Sequence, residues 1–186
     1  MTELFQLFTQ IALSRKGPQD LPASPLLLAL TVLGYFLVNY VVNMLMPAVD
    51  AWRLHLLIDV AFTLAWYAIL MRAFGKPERF LQTTTAIFGY QIVIAPLWIA
   101  AAYFLRQYAD NAVLQLPAAI IGLGLLFWVI RAGGYILKAA LDLPMIACVV
   151  LIILQGLAGQ LVLRAMVPAE ANPLNEPAHV QPDKRP

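Results

Sequence analysis

The stretch from Ala73 to Ala100, AFGKPERFLQTTTAIFGYQIVIAPLWIA, decides the fold of this chain. It begins with a short basic turn and continues directly into an apolar segment that carries a tyrosine and a proline. This apolar segment reaches the roughly 20 residues that a helix needs to cross a bilayer. A compact turn with glycine, proline and cations is typical of the place where a chain leaves the membrane and returns. The stretch therefore predicts a membrane protein.

The amino-acid composition also predicts a membrane protein. The 186 residues are 62% hydrophobic and 12% charged, a balance that a soluble protein surface cannot accommodate. The formal net charge is +2 and the cations are scattered along the chain, so nucleic acid is not an expected partner. The single cysteine, Cys148, lies in an apolar segment, which excludes an intrachain disulfide and a thiolate metal site. We expect the lipid bilayer as the solvent of this chain.

Five apolar windows predict an all-α polytopic bundle of five transmembrane helices within residues 26–163. Ser24-Pro25 is expected to cap the first span, and Asp142 the fifth. Pro96 is expected to kink the third span, and Pro117 to begin the fourth. The predicted spans are residues 26–46, 54–74, 81–105, 117–137 and 143–163.

The two ends of the chain differ from the spans. Residues 1–16 place apolar side chains on one helical face and predict a short amphipathic interfacial helix, with a frayed hydrophobic tail as the alternative. This helix should end at Arg15-Lys16-Gly17-Pro18. Residues 17–25 are a linker. Residues 164–186 hold five prolines and little apolar content, which predicts a disordered tail.

The distribution of cations predicts the orientation. With a cytoplasmic N-terminus, three cations lie near the membrane on the outer side: Arg53, Arg106 and Arg164. Seven lie on the cytoplasmic side: Arg15, Lys16, Arg72, Lys76, Arg79, Arg131 and Lys138. We therefore expect a bacterial inner membrane protein with its N-terminus in the cytoplasm and its C-terminus in the periplasm.

The second loop and third span contain Gly75-Lys76-Pro77-Glu78-Arg79-Phe80, Thr83 to Thr85, Gly89-Tyr90 and Pro96. In these residues the chain resembles the Yip family, the Ypt/Rab-interacting membrane proteins, and especially their bacterial relatives. The run from Trp128 through Arg131 to Lys138 is similar to that family's ending. The resemblance covers residues 54–163 and implies five spans, a cytoplasmic N-terminus and a non-enzymatic membrane adaptor. Because the long N-terminal region of the eukaryotic members is missing, Rab binding is not implied.

A polar layer in the outer half of the membrane is the candidate site. Asp59 lies inside an apolar span, where a carboxylate costs about 2.5–3.5 kcal/mol and needs a partner. His55 is four residues earlier on the same helical face, so a hydrogen bond between the two is feasible. Counting residues from the span ends puts further amides in this layer. The candidate cluster is His55, Asp59, Asn39, Asn43, Gln155 and Gln160.

Two interpretations of this layer stay open. The first is a polar cavity for a small solute, a proton or a lipid headgroup, with Asp59 as the titrating group. The second is structural, with amides and histidine linking helices by hydrogen bonds of about 0.6 kcal/mol each. The structural interpretation is the simpler one. Tyr90 and Gln91, just before Pro96, predict either a small polar pocket or further hydrogen bonds between helices.

Arg131 and Lys138 are candidate contacts for lipid headgroups. Arg131 is expected about six residues from the inner end of its span, from where it can extend to the headgroups. Pairing of Arg131 with Asp142 is the alternative. Thr83 to Thr85 are expected to bond back to their own helix rather than form a site.

No sequence motif for catalysis, metal binding or phosphate binding occurs in the chain. We therefore expect no catalytic residues, no metal and no cofactor. The leading hypothesis is a non-enzymatic protein that binds or assembles other membrane components, with a membrane-protein partner or self-association. A small transporter or lipid-handling protein that uses the layer around Asp59 is the alternative. An integral membrane enzyme is the third hypothesis.

Overall fold

The computed structural model describes residues 2–45, 51–107 and 112–166, and these residues form six α-helices. Five of the helices are long and apolar enough to cross a membrane. The predicted all-α bundle of five spanning helices and one short N-terminal helix is confirmed. The helices are α1 (Thr2–Ala12), α2 (Pro25–Leu45), α3 (Trp52–Ala73), α4 (Phe80–Gln107), α5 (Ala112–Leu141) and α6 (Met145–Met166).

Some predicted boundaries were wrong. Helix α5 begins five residues before Pro117 and runs through it, since prolines are tolerated inside membrane helices where nearby groups satisfy the freed carbonyl. Helix α1 ends at Ala12, before the Arg15-Lys16-Gly17-Pro18 segment, where Ser14 takes a positive φ of 57°. Residues 164–166 of the predicted tail are helical, and the rest of the tail lies outside the described residues.

The N-cap of the first span is confirmed. Ser24 directly precedes Pro25, the first residue of α2, and its Oγ accepts a hydrogen bond of 3.3 Å from the backbone N–H of Leu27, the third residue of the helix. The cap proposed for the last span was wrong. Asp142 has a φ of +57° and precedes the first residue of α6, Met145, by three positions. An N-cap residue has extended backbone angles, so Asp142 does not serve as one.

Helix α4 is the central element. It packs against α1, α2, α3 and α5, while α6 packs against α3 and α5. All eight residues from Thr83 to Tyr90 are buried, so this part of α4 is enclosed on every side. As predicted, the Thr83 and Thr84 hydroxyls donate to carbonyls one turn back, at 2.8 and 2.7 Å. The same prediction was wrong for Thr85, whose buried hydroxyl has no hydrogen-bond partner among the described residues.

Helix α1 packs into the bundle through α4 and α5. Ile11 and Ala12 are fully buried, which excludes a frayed tail. The indole Nε1 of Trp128 donates to the Ala12 carbonyl over 2.8 Å. The ring of Phe8 lies so close to Gly89 that a Cβ there would approach it to 2.2 Å. The absence of a side chain at Gly89 therefore allows Phe8 of α1 to pack directly against α4. The interfacial position of α1 in the membrane stays a prediction.

The linker after α1 also contacts α4. Leu21 is only 2% exposed and its carbonyl accepts a hydrogen bond of 2.7 Å from Gln82 Nε2. Pro18–Asp20 forms a short 3₁₀ turn between α1 and Leu21. The predicted linker is thus a packed segment that holds α1 in register with α4.

We predict that Gly89→Ala destabilises the protein by about 1–3 kcal/mol, because the added methyl group displaces the Phe8 ring. The measurement is thermal unfolding in detergent. In a Phe8→Ala background the same change should cost nothing. The matched control is Gly124→Ala, since a Cβ at Gly124 meets no atom within 4 Å. Equal effects at the two glycines would contradict this account of the docking of α1.

Candidate functional site

Asp59 connects two helices inside the bundle. It is the eighth residue of α3, about 10 Å along the axis from Trp52, and it is half-buried. Its Oδ2 accepts a hydrogen bond of 2.9 Å from Tyr35 Oη on α2. Asn39 Nδ2, one turn further along α2, donates to the Tyr35 carbonyl over 2.9 Å. Tyr35 therefore forms the polar link between α2 and α3.

A polar cavity of about 200 Å³ lies between α3, α4 and α6. Tyr67 crosses one side of it and donates from Oη to Gln155 Oε1 over 2.8 Å. Gln160 and Gly156 are exposed at its edge, so the cavity opens at the surface of the bundle. Its polar lining consists of Asp59, Thr63, Tyr67, Tyr90, Gln91, Gln155 and Gln160.

A second, apolar cavity of about 420 Å³ lies between α2, α4 and α5. Tyr35 and Asn39 form its polar edge, and Trp98, which is 38% exposed, lies at its surface. Apart from Tyr90 and Gln91, the rest of its lining is aliphatic. Tyr90 and Gln91 line both cavities, and the Tyr35–Asp59 hydrogen bond joins the lining of one to that of the other. We call the two together the paired cavities.

The structure brings together part of the predicted cluster. Asp59, Gln155 and Gln160 line the polar cavity, and Asn39 lines the apolar one. His55 and Asn43 line neither of these two cavities. The feasible bond between His55 and Asp59 is replaced by two others, since His55 Nδ1 lies 3.1 Å from the Ala51 carbonyl and Asp59 bonds Tyr35.

Two important residues, Tyr35 and Tyr67, were missed from the sequence. Their helical spacing carried a signal. Asp59, Thr63 and Tyr67 follow one another at four-residue intervals and so lie on one face of α3, as Tyr35 and Asn39 do on α2. A polar stripe at this spacing in an apolar helix indicates a side that faces other helices rather than lipid.

The described residues include no group of three or more His, Cys, Asp or Glu side chains able to hold a metal ion. What the paired cavities offer is one carboxylate, several amide and hydroxyl groups, and a large apolar volume. This combination can bind a molecule by hydrogen bonds and by a single negative charge.

A separate cluster joins two turns at the opposite end of the bundle. The Lys76 ammonium group pairs with Asp142 Oδ2, and Arg79 Nη1 lies 3.3 Å from the same oxygen. Arg79 Nη1 also donates to the carbonyls of Ala139 and Ala140, at 3.1 and 2.9 Å. A cation at these last carbonyls of α5 stabilises the negative end of its helix dipole. The cluster fastens the turn before α4 to the turn after α5.

Arg131 and Lys138 are both exposed and lie two turns apart on α5. The ion pair of Arg131 with Asp142 is not formed, because Asp142 pairs with Lys76 and Arg79. Arg131 lies ten residues before Leu141, the end of α5, or about 15 Å along the axis. It is therefore deeper in its span than the sequence predicts.

Comparison of the chain with protein-family models, curated proteins and solved structures gives no match. The Yip resemblance has no support from these comparisons and stays a prediction.

Asp142 allows a test of the cluster at the end of the bundle. The hydrogen bond from Lys76 holds the pKa of the Asp142 carboxyl below its usual value. A carboxyl with a lowered pKa in the folded state stabilises the protein fully above its unfolded pKa of about 4, and less as the pH falls further. We predict that Asp142→Asn, which tolerates the positive φ, lowers the melting temperature by less than about 4 °C near neutral pH.

The measurement is the melting temperature of both proteins in detergent between about pH 3 and pH 7. The difference between wild type and Asp142→Asn should shrink below about pH 4. Glu3→Gln, which changes an exposed carboxylate at the start of α1, is the control for general acid effects. A difference that stays constant down to pH 3 would show that the ion pair contributes no stability.

Proposed function

We propose that this chain is a non-enzymatic integral membrane protein that binds another membrane component, and that this component is an amphiphile held in the paired cavities. The observation that carries the proposal is that an apolar cavity and a polar one are neighbours that share two lining residues, Tyr90 and Gln91. A molecule with an apolar tail and a polar head fits this arrangement, with its tail in the apolar cavity and its head in the polar one.

The size of the cavities supports the proposal. The apolar cavity of about 420 Å³ lies within the range of about 300–1,000 Å³ that small-molecule sites occupy. Helix α2, which forms one wall, buries only Thr31. One wall of the apolar cavity is therefore a helix whose residues, Thr31 apart, are exposed or half-buried at the surface of the bundle. Trp98 lies where this cavity opens at that surface. A lipid-like molecule can enter from the side of the bundle without crossing a polar surface.

The orientation proposed from the sequence indicates which leaflet would supply the amphiphile. With Lys76, Arg79 and Lys138 at the cytoplasmic end, Asp59 lies in the outer half of a bacterial inner membrane. An amphiphile from the outer leaflet then meets the polar cavity at the depth of its head.

We predict that Ala95→Phe fills the apolar cavity and lowers retained lipid by about tenfold or more, about 1.4 kcal/mol in binding. The measurement is native mass spectrometry of the full chain released from nanodiscs made with lipids of its own membrane. Ala119→Phe, on the exposed side of α5, adds the same ring outside the cavity and should retain the wild-type lipids.

Thermal unfolding of both variants checks that they fold. If the folded Ala95→Phe protein retains the same lipids as wild type, the cavity is not the binding place and the proposal is wrong.

Arg131 favours a second candidate function, assembly with another membrane protein or with a second copy. Its side chain is exposed about 15 Å from the end of α5, among exposed apolar residues such as Phe127. Side chains of a helix tilt toward its N-terminus, which here is away from the nearer headgroups. A cation in this position gains most from a carboxylate or a phosphate brought alongside it.

We predict that Arg131→Leu reduces the share of any dimeric or partner-bound species by about tenfold, as measured by native mass spectrometry from nanodiscs. Lys138→Leu, on the same side of α5 but near its end, should have little effect. An unchanged distribution of species in Arg131→Leu would leave Arg131 as a residue that contacts lipid headgroups only.

A further inference from the structure

We infer that the amphiphile bound in the paired cavities carries an organic ammonium group, which Asp59 holds while the apolar tail occupies the larger cavity. The inference rests on the proposed function, since it names the chemical class of the molecule bound at that site. It depends on the balance of charge around Asp59.

Asp59 is the one acidic residue among the residues of α2 to α6. Among the described residues, no Lys, Arg or His lines either cavity. Asp142 at the other end of the bundle pairs with Lys76 and Arg79, whereas Asp59 is in no ion pair with the described residues. His55, one turn before Asp59 on α3, contacts the Ala51 carbonyl instead. The negative charge of Asp59 therefore has no compensating cation from the described part of the chain.

The hydrogen bonds of Asp59 leave room for a ligand. Oδ2 accepts one bond, from Tyr35, whereas Oδ1 accepts none from the described residues. Two carboxylate oxygens offer about four acceptor positions. One hydroxyl donor does not offset the loss of water around a carboxylate inside a membrane. The site therefore lacks a donor, and it lacks a positive charge.

An ammonium group supplies both. It has three N–H donors and no acceptor. Tyr67 already donates to Gln155 Oε1, so this amide oxygen faces the cavity as an acceptor. Gln91 and Gln160 carry further amide oxygens in the lining, and tyrosine rings attract cations. A sulfate or phosphate head is repelled by Asp59, and a neutral hydroxyl head leaves the charge of Asp59 uncompensated.

The other cation to consider is a metal ion. The described residues hold no group of three or more acidic, His or Cys side chains, and a hard cation needs six or more oxygen ligands. A metal therefore has too few charged ligands at Asp59. An organic cation with its own apolar chain also uses the larger cavity, which a metal ion does not.

The experiment uses the full chain in nanodiscs of phosphatidylcholine doped with one of three probes: dodecylamine, dodecanol or dodecyl sulfate. Near neutral pH the amine is an ammonium ion, as lysine is. Native mass spectrometry of the released protein counts retained probe molecules. We expect retention of dodecylamine to exceed that of the other two probes by about tenfold or more, and to fall by a similar factor in Asp59→Asn.

Asp59→Asn keeps the size of the side chain and its bond to Tyr35, and Asp142→Asn is the control for a carboxylate outside the cavities. Equal retention of dodecylamine and dodecanol, unchanged in Asp59→Asn but lost in Ala95→Phe, would overturn the ammonium inference and leave the proposed function standing. Retention of none of the probes in wild type, together with no effect of Ala95→Phe on native lipids, would overturn both.

Discussion

The enclosure of α4 is the constraint on which the rest of the bundle depends. From Thr83 to Tyr90 every residue is buried, so lipid and water are both excluded from this stretch. Buried hydroxyls usually have an acceptor. Thr83 and Thr84 find one in their own helix, whereas Thr85 has none among the described residues. At Thr83 and Thr84 the surrounding helices therefore need not supply an acceptor. Gly89 allows α1 to complete the enclosure at the same level.

The cavities begin near the end of this buried stretch. Ile87 lines the polar cavity, and buried Tyr90 and half-buried Gln91 line both. On one side α2 is held to α3 by the Tyr35–Asp59 bond, and on the other α3 is held to α6 by the Tyr67–Gln155 bond. Each of these bonds joins two helices that line the cavities beside α4. Polar links thus take the place of close packing where the bundle opens.

Hydropathy predicted the five spans because the requirement for an apolar surface acts on each helix separately. Counting residues along each helix led to the prediction that Asp59, Asn39 and Gln155 share one layer; Asp59 and Gln155 do line one cavity, whereas Asn39 lines the other. Rotation about each helix axis was not predictable, because it depends on neighbours that spacing does not identify. For this reason His55 was considered as the partner of Asp59, although Tyr35 of another helix takes that place. Asp142 was misassigned for a related reason, since its partners Lys76 and Arg79 come from a distant turn.

The two aspartates of the bundle have opposite environments, and the contrast separates structure from function. Asp142 is exposed and lies against two cations, so its charge is satisfied by the chain and its role is to join two turns. Asp59 lies among apolar helices with one hydroxyl donor and no cation from the described residues. A carboxylate that served only to link α2 and α3 could be replaced by an asparagine at lower cost, because an amide accepts the same bond without a charge. The proposed ammonium ligand in the cavities would supply the positive charge that the described residues do not place beside Asp59.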